Sequence, residues 1–463
     1  MTKSEAQGNS RQNPRRPSFS FTGTLLNGPV LTGVDKSPGN IWNPTQIIHL
    51  HRLQRWLLRK SLAGQKIGRT FTSGETQTIT SAIRRISQEL GGRNRWKTEF
   101  ARVISAWVEG TMDHKEATDL ILGSVSDGPK LPEGSAIASQ LSAAFGLFEA
   151  SLGFEQRALS ELAKRSLGGL AEQQRLEAIQ YAVHTGQPDL AASLAEELLR
   201  QKKPLSLFPH SVQDLLHYVS VWNGNQPEGT ILLEQDNLRW FDYIQSKKIL
   251  VYGPGNTPHN TKPASERELV ARIAGPGSHS WSQNQDLAQG RADIVYLIPD
   301  TLEAIGSTPE ERFKKLGHFD FLCIKRGEAP YLPNSRNVGA ASRMFLRGHP
   351  NMVPLAVIDL LRTPGTNVRV IGSDFFASGS SYRPDSIRTT PEGRPQTNQG
   401  SSGNRYDRST LMASHNAFQN RRLIKNLLDS GRVTGDDAFL KACSLSDLDY
   451  ARRLDLHYGQ QRI

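Results

Sequence analysis

The sequence predicts an α/β fold: a Rossmann-like, mostly parallel sheet domain in the C-terminal half, carried behind an all-α region. Three observations predict it. Before Trp240, apolar residues recur at helical spacing. After Trp240, short apolar runs bounded by turn residues stand where strands would be. Helical stretches separate those runs, and strands alternating with helices imply crossover units and parallel pairing.

The predicted elements follow in chain order. Residues 1–40 are rich in Ser, Asn, Gly, Pro and Arg without a sustained period, and are expected to be a disordered tail. A helical domain is expected over 41–235. Its first helix would begin after Pro44 and bury Ile48 and Leu53. Its second would bury Ile79, Ile83, Ile86 and Leu90 and stop at Gly91-Gly92. Its third would carry Trp96, Phe100, Val103, Ile104 and Trp107 on one face. Two helix pairs follow, with expected breaks at Gly153 and at Gly186-Gln187-Pro188. Their offset of roughly 34 residues matches the tetratricopeptide period. An ordinary helical bundle explains the same pattern.

The sheet domain is expected over 240–463. Its strands would lie at Lys248–Tyr252, Asp293–Ile298, Phe319–Ile324 and Val368–Ile371. Ser265 and Glu268 read as a capping box opening a helix through Leu269, Val270 and Ile273. Thr308-Pro309 and Glu311 mark another helix start, and Val353–Leu361 is a third helix, ended by Pro364-Gly365. Residues 377–410 are almost free of apolar side chains and are expected to form a flexible lid.

Composition narrows the function classes. The 463 residues hold no apolar run of about 18, so no spanning helix is expected, and the polar start of the chain lacks a secretory signal. Two cysteines, Cys323 and Cys443, point to a reducing, cytoplasmic compartment and exclude a cysteine-rich zinc site. The net charge of +11 is dispersed rather than run together, so nucleic acid is not an expected partner. The cluster Arg11 to Arg16 allows at most a peripheral contact with an anionic inner membrane face.

In an open parallel sheet, ligands bind beyond the carboxyl ends of the strands, so candidate residues are sought there. After the first strand stand Gly253, Gly255 and Asn256, where glycines would let backbone amides approach a phosphate; an ordinary turn is the alternative. After the third predicted strand stand Lys325 and Arg326, cations for a phosphate or carboxylate, or else solvated charges. After the fourth stand Gly372 and Asp374, the carboxylate holding a sugar hydroxyl or else capping a turn. His415 opens an amphipathic helix behind the lid, a position suited to proton transfer near neutral pH; a surface histidine serving the helix end is the alternative. No histidine spacing marks a metal site, and no Gly-x-Ser-x-Gly elbow occurs.

This order of features resembles the sialyltransferase-like glycosyltransferases of the animal type and their bacterial relatives. The features are the Gly-Pro-Gly turn at Gly253, Lys325-Arg326-Gly327, the helix with Pro354 and Asp359, Val368 to Phe375, the loop, and His415. The resemblance covers Lys247 to Gly459. It implies transfer of a sugar from a nucleotide-activated, cytidine monophosphate-linked donor to a glycan or glycolipid acceptor. His415 would be the general base, the Gly253 turn and the strand ends would hold the nucleotide, and no metal or other cofactor would be needed. The chain departs from the family in having Asn351-Met352-Val353-Pro354 near the place of its Pro-Ser-Thr-Gly signature, and Asn420 in place of its glutamate. The alternative is a non-catalytic scaffold with a degenerate nucleotide-binding domain, whose helical region docks a protein partner.

Overall fold

The computed structural model describes residues 73–90, 93–166, 171–200, 208–225, 235–255, 267–274, 291–298, 301–302, 305–325, 332, 334–338, 344–346, 350–379, 412 and 415–459. Among these residues nine α-helices come first: α1 (Ser73–Glu89), α2 (Asn94–Glu109), α3 (His114–Ser124), α4 (Pro132–Ala144), α5 (Phe148–Ser166), α6 (Glu172–Thr185), α7 (Pro188–Arg200), α8 (His210–Trp222) and α9 (Gln235–Ile244). Then come β1 (Lys248–Tyr252), β2 (Glu268–Ile273), β3 (Ile294–Leu297), α10 (Pro309–Leu316), β4 (Phe321–Lys325), β5 (Ser335–Val338), α11 (Met352–Leu361) and β6 (Asn367–Ile371). The chain continues through α12 (Ala417–Asp429), β7 (Val433–Gly435), α13 (Asp437–Ser444), α14 (Asp447–Leu454) and a π-helical turn, Asp455–Gly459. Among the described residues the fold is therefore mixed α/β, with fourteen α-helices and seven strands. The helix expected after Pro44 lies outside them, as do Asn256, Arg326 and all of the expected lid beyond Gly379.

The seven strands form one sheet in the order β5-β4-β3-β2-β1-β6-β7, and every neighbouring pair is parallel. The chain starts at β1, works outward to β5, then returns to the other side of β1 for β6 and β7. The order reverses once, between β1 and β6, where Lys248 to Tyr252 align with Asn367 to Ile371. At such a reversal the connections leave in opposite directions and open a crevice beyond the carboxyl ends.

Strand periodicity sets the two faces. Ile249 and Val251 of β1, Ile294 and Tyr296 of β3, and Cys323 of β4 point into the main core, against α6, α8, α11 and α12. Val295, Leu297, Leu322 and Ile324 point the other way, onto Leu302, Ile305 and Leu316. The main core also contains Phe148, Leu152, Ile179, Val183 and Trp240, so the helical part and the sheet share one apolar interior. A second cluster lies wholly among α1 to α5, where Trp96 stacks on Phe100 at 5.1 Å and both meet Phe154 edge-on.

Two local readings are corrected. Gly153 does not break a helix; it lies inside α5, and the break falls at Gly146, whose φ is +75°. Gly153 is small for a packing reason: a Cβ there would stand 2.8 Å from Leu122 Cδ2 of α3. The segment from Glu268 is a strand, not a helix. Hydrogen bonding to β1 on one side and β3 on the other overrides its helical cap signal, and Val270 and Ile273 are β-branched residues at home there. Other helix signals behave as read. Thr308 caps α10 by accepting from the Glu311 amide at 3.2 Å with Pro309 in the first turn, and Gly186 ends α6 in the left-handed region.

Candidate functional site

The carboxyl ends of β1 and β6 meet closely. The Gly253 amide donates to Ile371 O and the Gly255 amide to Gly372 O, both at 2.8 Å. A Cβ on Gly253 would stand 2.5 Å from Gly372 O, and one on Gly255 would stand 2.8 Å from the same atom. Glycine is thus required at both positions by the approach of the two chains. Gly372 has φ +66°, and its amide donates to Asp436 Oδ2 at 2.9 Å. At the β1/β6 reversal the two chains accordingly meet backbone to backbone, with Ser373 Cβ close beside Gly253.

Asp374 follows on the β6 side and is 8% exposed. Its carboxylate accepts from the Phe376 amide at 3.0 Å, from the Ser378 amide at 2.9 Å and from the Ser378 hydroxyl. It therefore caps the turn at 375–378. Within that turn Phe375 and Phe376 both adopt left-handed backbone, with φ +50° and +68°. Two consecutive aromatic residues in this region are costly and persist only when surrounding contacts over-determine them. Those contacts come from the C-terminal end of the chain: Tyr450 Oη donates to Phe375 O at 2.6 Å, and Tyr458 Oη to Phe376 O at 3.1 Å.

Lys325 is not beside this crevice. Its strand is three positions from β1, roughly 14 Å at the usual strand spacing. It is 7% exposed, and its ammonium donates to Pro350 O at 2.5 Å, ahead of α11. The lysine thus fastens a helix entry within the fold.

His415 is half-buried, in a helical turn just before α12. α12 follows β6 and precedes β7, and its start packs near the turn after β6 through Phe418, which meets the Tyr450 ring edge-on. The backbone around His415 is firmly held. Asn416 has φ +46° and caps α12 by accepting from the Gln419 amide at 3.0 Å. Asn420 donates to His415 O and accepts from the Asn351 amide at 2.8 Å. The asparagine standing where a glutamate was expected is thus a tie between α12 and the start of α11.

A buried charge network anchors α12 to the helical part. Glu155 of α5, 1% exposed, accepts from Asn416 Nδ2 at 3.0 Å, Gln419 Nε2 at 2.9 Å and Arg422 at 3.1 Å. Arg422 also pairs with Asp447 at 2.7 Å, and Arg421 shares that carboxylate. The Asp447 carboxyl is pushed up by burial, but the charge and hydrogen bonds of Arg422 outweigh this and hold it below its usual range. Asp447 and Asp449 form an Asp-x-Asp pair, but they sit in the first turn of a helix and the first is taken by arginines. Among the described residues no group of three His, Cys, Asp or Glu side chains is arranged to hold a metal.

A second network lies under the sheet. Arg336 makes a two-pronged pair with Asp359 at 2.6 and 3.1 Å, and Tyr296 Oη donates to the same carboxylate at 2.8 Å. The guanidinium stacks over the Trp240 ring at 4.4 Å. Burial pushes the nearby Cys323 thiol up to about 12, so it is an unreactive neighbour.

Of the six predicted site residues that the structure describes, Gly253, Gly255, Gly372 and Asp374 stand at the adjoining ends of β1 and β6, Lys325 lies aside, and His415 lies just before α12. Sequence reasoning missed Tyr450, Tyr458 and Glu155, which support these segments from elements distant in sequence; no local signal marks them. No helix among the described residues is long and apolar enough to cross a membrane. No protein-family model, no curated protein and no solved structure matches the chain.

Proposed function

We propose that the chain is a glycosyltransferase of sialyltransferase-like chemistry, using a nucleotide-activated sugar with a cytidine monophosphate leaving group. One observation supports the reading: β1 and β6 meet backbone to backbone at Gly253 and Gly372 where the strand order reverses, and His415, just before α12, has its carbonyl held by Asn420. A crevice of this kind suits the phosphate of a nucleotide, since bare backbone lets an anion approach closely. An imidazole is the side chain best suited to accept a hydroxyl proton as the acceptor attacks.

In the proposed reaction the acceptor hydroxyl oxygen attacks the anomeric carbon as the bond to the phosphate oxygen breaks. His415 takes the hydroxyl proton, and the electron pair leaves with the nucleotide. The glycan or glycolipid acceptor would enter from the carboxyl side of the sheet, and a cytoplasmic enzyme working beside the inner membrane face fits such an acceptor.

Isothermal titration with cytidine and uridine nucleotides tests the binding step. Micromolar to low-millimolar binding of a cytidine nucleotide is expected; the reading fails if no nucleotide or nucleotide sugar binds. His415→Ala is expected to abolish turnover while leaving nucleotide affinity within about threefold, since the base acts in the transition state and not in ground-state binding.

A second reading has its own observation. Asp374 and Lys325 spend their polar groups on their own chain, as in a domain that binds nothing there. Under it the protein is a scaffold whose helical region, tetratricopeptide-like in period, docks a protein partner. The same titration separates the two.

A further inference from the structure

The last turn of the chain makes contacts that the proposed chemistry does not use. Asp455 opens the π-helical turn 455–459 and is 2% exposed. Its carboxylate accepts from the Phe148 amide at 2.7 Å and the Glu149 amide at 2.9 Å, the first two amides of α5. A carboxylate at this place satisfies donors that a helix start leaves open and complements the helix dipole. His114 Nε2 donates to Asp455 Oδ1 at 3.0 Å and to Gly146 O at 3.1 Å, with Trp107 edge-on to its ring at 5.5 Å. The fit is close: a Cβ on Gly146 would stand 2.9 Å from Tyr458 O, and one on Gly459 would stand 2.5 Å from His114 Nε2. The segment 455–459 is thereby seated on the helical part of the molecule.

The same five residues reach the β6 edge. Tyr458 Oη holds the carbonyl of left-handed Phe376, and the His457 ring hydrogen-bonds the Ala377 backbone. Gly379, with φ +67°, packs so closely that a Cβ would stand 2.8 Å from His457 Nδ1. One short turn therefore bonds α5 at one end and the strained turn after β6 at the other.

We propose that residues 455–459 are a latch: Asp455 and Tyr458 are positioning residues that hold the 375–379 turn, and with it the mouth of the β1/β6 crevice, in register with the helical part. This rests on the nucleotide-binding reading only for its effect on ligand affinity. The left-handed turn loosens when either end of the latch is released, because the remaining bonds from Asp374 and Tyr450 do not replace the Tyr458 bond to the Phe376 carbonyl while both phenylalanines stay at costly positive φ.

The test uses the full chain and three conservative variants. Tyr458→Phe removes one hydroxyl, and Asp455→Asn keeps the shape while removing the charge. Tyr218→Phe is the control, because it breaks an equivalent buried bond to Leu423 O far from the turn. Amide hydrogen exchange is followed at Phe376, Ala377, Ser378 and Gly379, whose amides are all bonded within the turn. On the order of tenfold faster exchange is expected there in the first two variants and no local change in the control, tenfold being what the loss of one such bond gives. Cytidine nucleotide affinity is expected to fall severalfold in the same two variants. Unchanged exchange at 376–379 in both overturns the latch, and so does equal acceleration in the control. Faster exchange with unaltered affinity overturns its role in the crevice. If the unmodified chain binds no nucleotide, the functional reading falls while the exchange result still decides the latch.

Discussion

At the scale of single residues, the crevice depends on what is missing. A Cβ on Gly253 would stand only 2.5 Å from Gly372 O, and the neighbour is backbone, which cannot swing aside. Gly253→Ala therefore has to part β1 from β6. A destabilisation of about 1–3 kcal/mol is expected from this overpacking, with loss of nucleotide affinity. Gly123→Ala is the contrast, since a Cβ there meets nothing within 4 Å and the residue lies in α3. It is expected to be neutral or to stabilise by up to about 1 kcal/mol. Urea melts of the two variants check both expectations, and equal melting midpoints would refute the steric account. His415 is the opposite case, a residue to which the proposed chemistry assigns a side-chain role while its carbonyl is held by Asn420.

At the scale of elements, buried charge fixes how helices dock. Asp359 lies on an otherwise apolar α11 and receives Arg336 from β5 and Tyr296 from β3. Asp359→Ala would leave the Arg336 guanidinium buried and unpaired, at an expected loss of about 3–5 kcal/mol. The double variant Arg336→Met with Asp359→Leu is expected to lose less than the single one, because no charge is stranded. Denaturant unfolding of single and double variants measures the difference; a double variant worse than Asp359→Ala would count against the account. Such elements also show how much of the fold was legible in sequence. Strands β1, β3 and β4 announce themselves as apolar runs because both faces are covered, and β6 as Val368, Val370 and Ile371 around a half-buried Arg369. β5, Ser335–Val338, and β7, Val433–Gly435, do not, being short edge strands whose residues Arg336, Asn337 and Thr434 look like loop. β2 carries a helical cap signal that only pairing on both sides overturns. The strand-end candidates were legible because topology alone sends them to one edge. The tyrosines and carboxylates that support them were not, because Tyr458 meets Phe376 across 82 residues and Asp455 meets Phe148 across 307.

At the scale of the whole molecule, the shared core makes stability depend on pH through histidines that are not in the crevice. His184 is driven down to about 3 and His217 to about 4, in each case by burial first and then by a nearby arginine, Arg422 or Arg362. Between those values and the ordinary 6.5, the unfolded chain binds more protons than the folded one. Their contribution is therefore full above pH 6.5 and is lost as pH falls toward 4. His114 works in the other sense. Burial lowers its value, but the hydrogen bond and charge of Asp455 raise it further, with Glu149, itself paired with Arg452 at 3.6 Å, adding to the pull. Its contribution is full below pH 6.5 and is lost as pH rises through its folded value. Burial lowers His457 as well, so among these histidines three lowered groups oppose one raised group and the balance falls on the acid side. From pH 7 to pH 5 His184 and His217 are each expected to remove roughly 2 kcal/mol, the free energy of 1.5 pH units below 6.5. Urea midpoints at the two pH values measure the total. His217→Phe keeps an aromatic ring beside Ile358 and Leu427 without a titrating group, and should lose about that much less than the unmodified chain on acidification. Equal pH dependence in the two proteins would mean that His217 is protonated when folded. Asp455→Asn should act at the other end of the scale, flattening the loss of stability above pH 6.5 that His114 brings, while leaving the acid limb unchanged.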